Sequence, residues 1–187
     1  MLTGQERQTL LGIARSAIAR DLGLPHEKQQ IPESGALAEG AGAFVTLRSR
    51  GHLRGCIGYI ESTEALTEVV RKAATKAAFH DPRFPPLTSK EFNTVGIEIS
   101  VLTPPVPLED VSMIEIGRDG LIVELGFARG LLLPQVAIEQ AWDRLKFVEN
   151  TCAKAGLPGD AWMDPAARLF SFRAEVFSER EEHEVAT

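Results

Sequence analysis

The chain has 187 residues, enough for one substantial core or for a larger and a smaller lobe, and its 44% hydrophobic and 25% charged residues are ordinary globular values. No apolar run approaches the roughly 20 residues that cross a bilayer, no signal-peptide pattern opens the chain, and two cysteines make no disulfide framework, so a soluble protein of a reducing cytoplasm is expected. The net charge of -6 weighs against broad, phosphate-driven binding to nucleic acid.

Thr3 with Glu6 forms a capping-box pattern, and Leu10, Leu11, Ala14, Ala17 and Ile18 follow helical spacing up to Gly23. Residues 24–41 carry two prolines and read as a linker or loose surface loop. Residues 43–49 and 53–61 flank a short turn containing Gly51 and predict a hairpin. Ser62 or Thr63 can cap the next helix, whose stripe Leu66, Val69, Val70, Ala73, Ala74, Ala77 and Ala78 is small enough to pack closely on a sheet. Pro82 ends that region, and residues 94–103 alternate as a strand before the proline-rich 104–107 stretch. The first half therefore reads ββαβ.

The second half repeats the order: residues 120–125, a turn near Arg129-Gly130, residues 131–133, a helix over about 135–154, and a last strand over 168–177. In that helix Ile138, Ala141, Trp142, Leu145, Val148 and Cys152 predict one apolar face, which gives Cys152 a packing role and no catalytic one. The fold class is α+β, with a mixed or antiparallel sheet flanked by helices and a duplicated ββαβ unit. Residues 1–178 form a single domain of one or two lobes, and the charged segment 179–187 reads as a flexible tail.

The segment Leu53-Arg54-Gly55-Cys56-Ile57-Gly58 concentrates the chemistry. On an internal strand Arg54 and Cys56 project to one side, roughly 6.5 to 7 Å apart, so a cation and a thiol share a face. Glycines inside a strand mark places where a backbone or a ligand comes close. A guanidinium favours a thiolate, which makes Cys56 a candidate nucleophile with Arg54 as its activator and His80 or Asp81 as a proton-transfer partner. The bland alternatives are equally concrete: Cys56 as a small hydrophobe, His80 as an exposed residue at a helix C-terminus, and Asp81-Pro82 as a helix stop. Arg83, in a loop of aromatic and proline residues expected to lie ordered near the Cys56 strand, can grip a carboxylate or phosphate bidentately or pair with a neighbouring acid. Glu139 and Asp143, at i and i+4, share a helix face and could meet a basic ligand, although such pairs are usually solvated.

LRGCIG, with Asp81-Pro82-Arg83-Phe84-Pro85-Pro86-Leu87, Ser100-Val101-Leu102-Thr103, Gly117-Arg118-Asp119-Gly120-Leu121 and the run from Leu133-Pro134-Gln135 to Trp142-Asp143, resembles the successive signatures of the AMMECR domain family over about residues 5–178. Prokaryotic members are protein A of the AmmeMemoRadiSam system. The resemblance implies an α+β fold with two lobes and the company of a Memo-type protein and a radical S-adenosylmethionine protein, but no established reaction. Gln135 stands where the family pattern is expected to carry a glutamate.

Neither partner's chemistry is expected in this chain, because an iron–sulfur cluster needs closely spaced cysteines and the four histidines show no ligand spacing with Cys56 or Cys152. No metal or cofactor is therefore expected. Three readings remain: thiol-dependent modification of an unknown small molecule or macromolecule at a Cys56/Arg54-centred pocket, a non-catalytic adaptor for the Memo-type or radical S-adenosylmethionine partner, and RNA or nucleotide binding, which the overall acidity disfavours.

Overall fold

The computed structural model describes residues 1–30 and 34–179. The chain divides into two compact units, one of residues 1–102 with the segment from 175 onward, the other of residues 103–174. Residues 31–33 of the expected loop and 180–187 of the expected tail lie outside the described residues.

In the first unit the Thr3 hydroxyl accepts from the Glu6 N–H, and the Glu6 carboxylate accepts from the Thr3 N–H at 2.7 Å, which starts α1 (Gly4–Asp21). The hairpin β1 (Ala43–Ser49) and β2 (His52–Tyr59) turns through Arg50 and Gly51, both at positive φ. β3 (Val95–Leu102) pairs antiparallel with the other side of β1, and β7 (Arg168–Ser178) follows β3 in the sheet, its residues 175–178 belonging to this unit. The strand order makes β2 an edge, which corrects the expectation of an internal strand.

α2 (Leu66–Phe79) buries the whole predicted stripe against α1, β1 and β2. It begins later than the sequence suggests, with no side-chain cap. Ser62 accepts from the Glu64 N–H in a turn, while the first helical N–H groups donate to the chain: Leu66 to the Glu39 carbonyl and Thr67 to that of Leu37. The expected loose loop thus contains an ordered segment, with Leu37 1% exposed in the core. A one-turn helix, α3 (Ser89–Phe92), precedes β3 and carries its own capping box, Thr88 with Glu91.

In the second unit β5 (Asp119–Leu125) and β6 (Ala128–Leu132) form a hairpin, β7 residues 168–173 pair antiparallel with β5, and short β4 (Val106–Pro107) pairs with β7. The predicted helix over 135–154 is two helices, α4 (Pro134–Glu139) and α5 (Arg144–Lys154). Ala141 adopts φ 52, and the Asp143 carboxylate accepts from the Lys146 N–H at 2.8 Å as the α5 N-cap. Asp is a poor helix-interior residue and a strong cap, so the chain breaks there. The apolar spacing runs through the break without being one face: Ile138 and Leu145 are exposed, whereas Phe147, Val148 and Cys152 are buried with Ile114, Leu121 and Val123. Both units are ββαβ with the last strand beside the first hairpin strand, β2-β1-β3 and β6-β5-β7.

Candidate functional site

Gly55 fixes the geometry of the hexapeptide. A Cβ there would lie 2.2 Å from the Ala77 carbonyl oxygen, so the last turns of α2 reach β2 only because residue 55 has no side chain. Simple alternation would put Arg54 and Cys56 together on the opposite face, but the strand is irregular at Arg54. Arg54 is the extra residue of a β-bulge, since Leu47 pairs with Gly55 and Arg48 with Leu53. Cys56 lies opposite Thr46, whose hydroxyl donates to Cys56 Sγ at 3.3 Å, and Thr46 in turn lies opposite Glu98 on β3.

The Asp81–Arg83 loop covers the free edge of β2. The Cys56 N–H donates to Asp81 Oδ2 at 2.9 Å, and Arg83 Nη2 donates to the Cys56 carbonyl at 3.1 Å, so the two side chains satisfy the main-chain groups that a neighbouring strand would otherwise take. Asp81 also accepts from the Arg83 main-chain N–H, from Nε at 2.9 Å and from Nη2 at 2.6 Å. The Arg83 guanidinium holds the Asp81 carboxyl well below the usual carboxylate range, with the Cys56 N–H adding to the effect, although Asp81 is only 3% exposed. A carboxylate this firmly ionised is a poor proton acceptor for a thiol.

Arg54 is engaged elsewhere. Its Nε and Nη2 donate to Glu91 at 2.8 and 3.3 Å, and Glu91 also accepts from the Thr88 N–H and hydroxyl. The Arg54 hydrogen bonds, with those from Thr88, bring Glu91 from 4.5 down to about 2. Arg54 Nη1 is buried without a hydrogen-bond partner. The Phe84 ring sits between the two cations, 6.0 Å from the Arg54 guanidinium and 5.6 Å from that of Arg83. Burial pushes the Cys56 thiol up; the Thr46 hydroxyl and the Arg83 charge act against that, and Asp81 and Glu98 reinforce it. The cation that acts on the thiol is thus Arg83, a correction to the assignment of Arg54.

His80 is the C-cap of α2 and is exposed, and its neighbour Asp81 is the residue that reaches Cys56. Glu139 closes α4 and Asp143 caps α5 in the second unit, so they do not share a helix face as their spacing suggests. Gln135 presents a neutral amide whose Oε1 is buried without a hydrogen-bond partner. Phe84, expected as the buried anchor of the Asp81–Leu87 loop, is half-buried, whereas Thr46 and Glu91 were not singled out by the sequence reading. The Thr88-Ser89-Lys90-Glu91 capping pattern was the available signal for Glu91, whereas Thr46 meets Cys56 only through strand register. Among the described residues no cluster of three or more His, Cys, Asp or Glu could hold a metal ion, and no helix is long and apolar enough to cross a membrane.

Fold and site define an α+β protein of two ββαβ units, with a partly buried thiol on an edge strand closed by an Asp–Arg loop. The sequence profile of AMMECR1 matches residues 11–177. A protein of Methanothermobacter thermautotrophicus is 46% identical over 95% of this chain and 96% of its own length, and protein PF1979 of Pyrococcus furiosus is 45% identical over 91% and 86%. The crystal structure of the uncharacterized protein PH0010 from Pyrococcus horikoshii superimposes with a TM-score of 0.84 at 42% identity, covering 91% of this chain and 89% of that one. The chain belongs to the AMMECR1 family.

Proposed function

We propose that this protein is a non-catalytic recognition module whose Cys56 strand and Asp81–Glu91 loop form the docking face, and that its partners are the Memo-type and radical S-adenosylmethionine proteins suggested by the AmmeMemoRadiSam resemblance. One observation carries this reading: the arginines of both motifs are paired with carboxylates, Arg54 with Glu91 and Arg83 with Asp81, and burial pushes the Cys56 thiol up. The face nevertheless has features of a binding surface. Leu53 is 39% exposed on the edge strand, and the buried Arg54 Nη1 is a donor in need of an acceptor. Two free thiols suit a reducing cytoplasmic setting.

Calorimetric titration with a purified Memo-type protein and with a radical S-adenosylmethionine protein from the same source tests the proposal. Binding by the wild type, retained in Cys56→Ser and weakened in Leu53→Asp, supports it. Failure to bind either protein overturns it. The thiol-chemistry reading draws on one contact, the Thr46 hydroxyl donated to Cys56 Sγ, which would stabilise a thiolate. That reading requires Cys56→Ser to lose a partner-dependent activity.

A further inference from the structure

Cations gather along the free edge of β2. Lys76, exposed in the last turn of α2, holds its Nζ 5.2 Å from the centroid of the Tyr59 ring at the end of that strand. Arg83 meets the strand at Cys56. Its side chain is 50% exposed against 1% for Asp81, and its Nη1 takes no part in the bonds to Asp81 and Cys56, so this pair presents its cation to solvent. Lys90, exposed in α3, precedes Glu91, the partner of Arg54. Neither Lys76 nor Lys90 has an ion-pair partner among the described residues. From Arg54 to Tyr59 the strand advances about 16 Å. Along it four cations, Arg54, Lys76, Arg83 and Lys90, stand against two carboxylates, Asp81 and Glu91, a local positive excess in a chain whose net charge is -6. The excess is strongest from Cys56 to Tyr59, because at the other end Glu91 is more exposed than Arg54.

The main chain narrows what such an edge can take. The Cys56 N–H and C=O point away from β1, to Asp81 and Arg83, and antiparallel alternation turns those of Gly58 the same way, where β2 has no neighbouring strand. An extended peptide carries N–H and C=O groups at the matching spacing, and a polynucleotide does not. The charge selects the sign of the side chains, since a segment bearing carboxylates is drawn to this edge and one bearing lysine or arginine is repelled. We infer that the β2 edge takes an extended acidic segment of a partner protein, its main chain against Gly58 and its carboxylates on Lys76, Arg83 and Lys90. This rests on the docking face proposed above and adds the chemistry of what docks there. In an extended segment alternate side chains fall on one side about 7 Å apart, so two or three carboxylates in alternation span the row.

Fluorescence anisotropy of the full chain with a short labelled peptide alternating glutamate and threonine tests this, beside its counterpart carrying glutamine at every glutamate and a single-stranded oligonucleotide of the same charge. The glutamate peptide binds at low ionic strength, and the glutamine peptide and the oligonucleotide bind roughly tenfold or more weakly. Lys76→Glu and Lys90→Glu each weaken the glutamate peptide by roughly threefold and together by roughly tenfold, whereas Lys154→Glu at the end of α5 leaves it unchanged. Lys76 and Lys90 are exposed, so the substituted chains keep their fold. Absence of binding by the glutamate peptide, equal binding of the glutamine peptide, tighter binding of the oligonucleotide, or unchanged affinity in the doubly substituted chain overturns the inference. The wild-type and doubly substituted chains are also titrated with the Memo-type and the radical S-adenosylmethionine protein. If the glutamate peptide binds as stated and neither protein does, the acidic segment stands and the choice of partners falls; if either protein binds both chains equally, the partners stand and the acidic segment falls.

Discussion

The two ββαβ halves place an Arg-Gly pair on the second strand of each hairpin, Arg54-Gly55 on β2 and Arg129-Gly130 on β6, and then diverge at the next residue, Cys56 in one and Leu131 in the other. Each glycine admits the C-terminal end of the helix that follows: a Cβ at Gly55 would meet the Ala77 carbonyl at 2.2 Å, and one at Gly130 would meet the Ala155 nitrogen at 2.4 Å and the Thr151 carbonyl at 2.7 Å. Each arginine pairs with a carboxylate, Arg54 with Glu91 at 2.8 Å and Arg129 with Glu124 at 2.9 Å. Arg-Gly is therefore the common device that seats a helix on a hairpin. What the first half adds is the thiol and the Asp81–Arg83 closure of its edge strand.

The equivalence of the two glycines gives the largest effect. Gly55→Ala and Gly130→Ala each drive a Cβ into backbone that cannot rotate away, and each is expected to lose about 3 kcal/mol. Urea denaturation should show losses of similar size, and a neutral result at either position would break the comparison. Asp81→Ala, confined to the first half, should cost roughly 2–3 kcal/mol, because it leaves the Cys56 N–H and the Arg83 guanidinium without their acceptor. A smaller difference separates the two arginines. Arg54→Ala should cost about 1 kcal/mol and Arg129→Ala about half of that, because the Arg54 side chain is 12% exposed and that of Arg129 39%.

The acid dependence sharpens the same contrast. Glu91 is held at about 2 against an ordinary 4.5, so its folded form favours the ionised carboxylate. Its stabilising contribution is complete above pH 4.5 and is lost as the pH falls to about 2. Asp81 behaves in the same direction, complete above its ordinary 3.8 and lost only in stronger acid. Unfolding followed between pH 6 and pH 2.5 should show a shallower acid loss in Arg54→Ala than in the wild type, and an unchanged profile would deny Arg54 its hold on Glu91.

Much of this architecture was legible in the sequence, because local chemistry dictates it. The Thr3–Glu6 box, the Leu66-to-Ala78 stripe and the Gly51 turn each encode their element within a few residues. The α4–α5 break was missed because apolar spacing continued across Ala141, although Asp143 was a cap in plain view. Which candidate residues stand out was legible more than how they pair. Cys56, Arg54, Asp81 and Arg83 were identified from the two motifs, and the Asp81–Leu87 loop does meet the Cys56 strand. Which cation faces the thiol depends on a bulge at Arg54 and on a loop that folds back across an edge, and neither is a property of sequence spacing.

The central claim is that Cys56 is a protonated, partly buried thiol on a recognition face, influenced by Arg83 and not by Arg54. Alkylation of Cys56 at pH 7.5 with iodoacetamide, read by peptide mass in native and urea-unfolded protein and repeated on Arg54→Ala and Arg83→Ala, tests it most directly. The account predicts native labelling at least tenfold slower than labelling of the unfolded chain, little change in Arg54→Ala, and a measurable change in Arg83→Ala, whose loss removes both the nearby charge and the hydrogen bond to the Cys56 carbonyl. Native labelling of Cys56 faster than in the unfolded protein, slowed by Arg54→Ala, would contradict it and return the site to an Arg54-activated nucleophile.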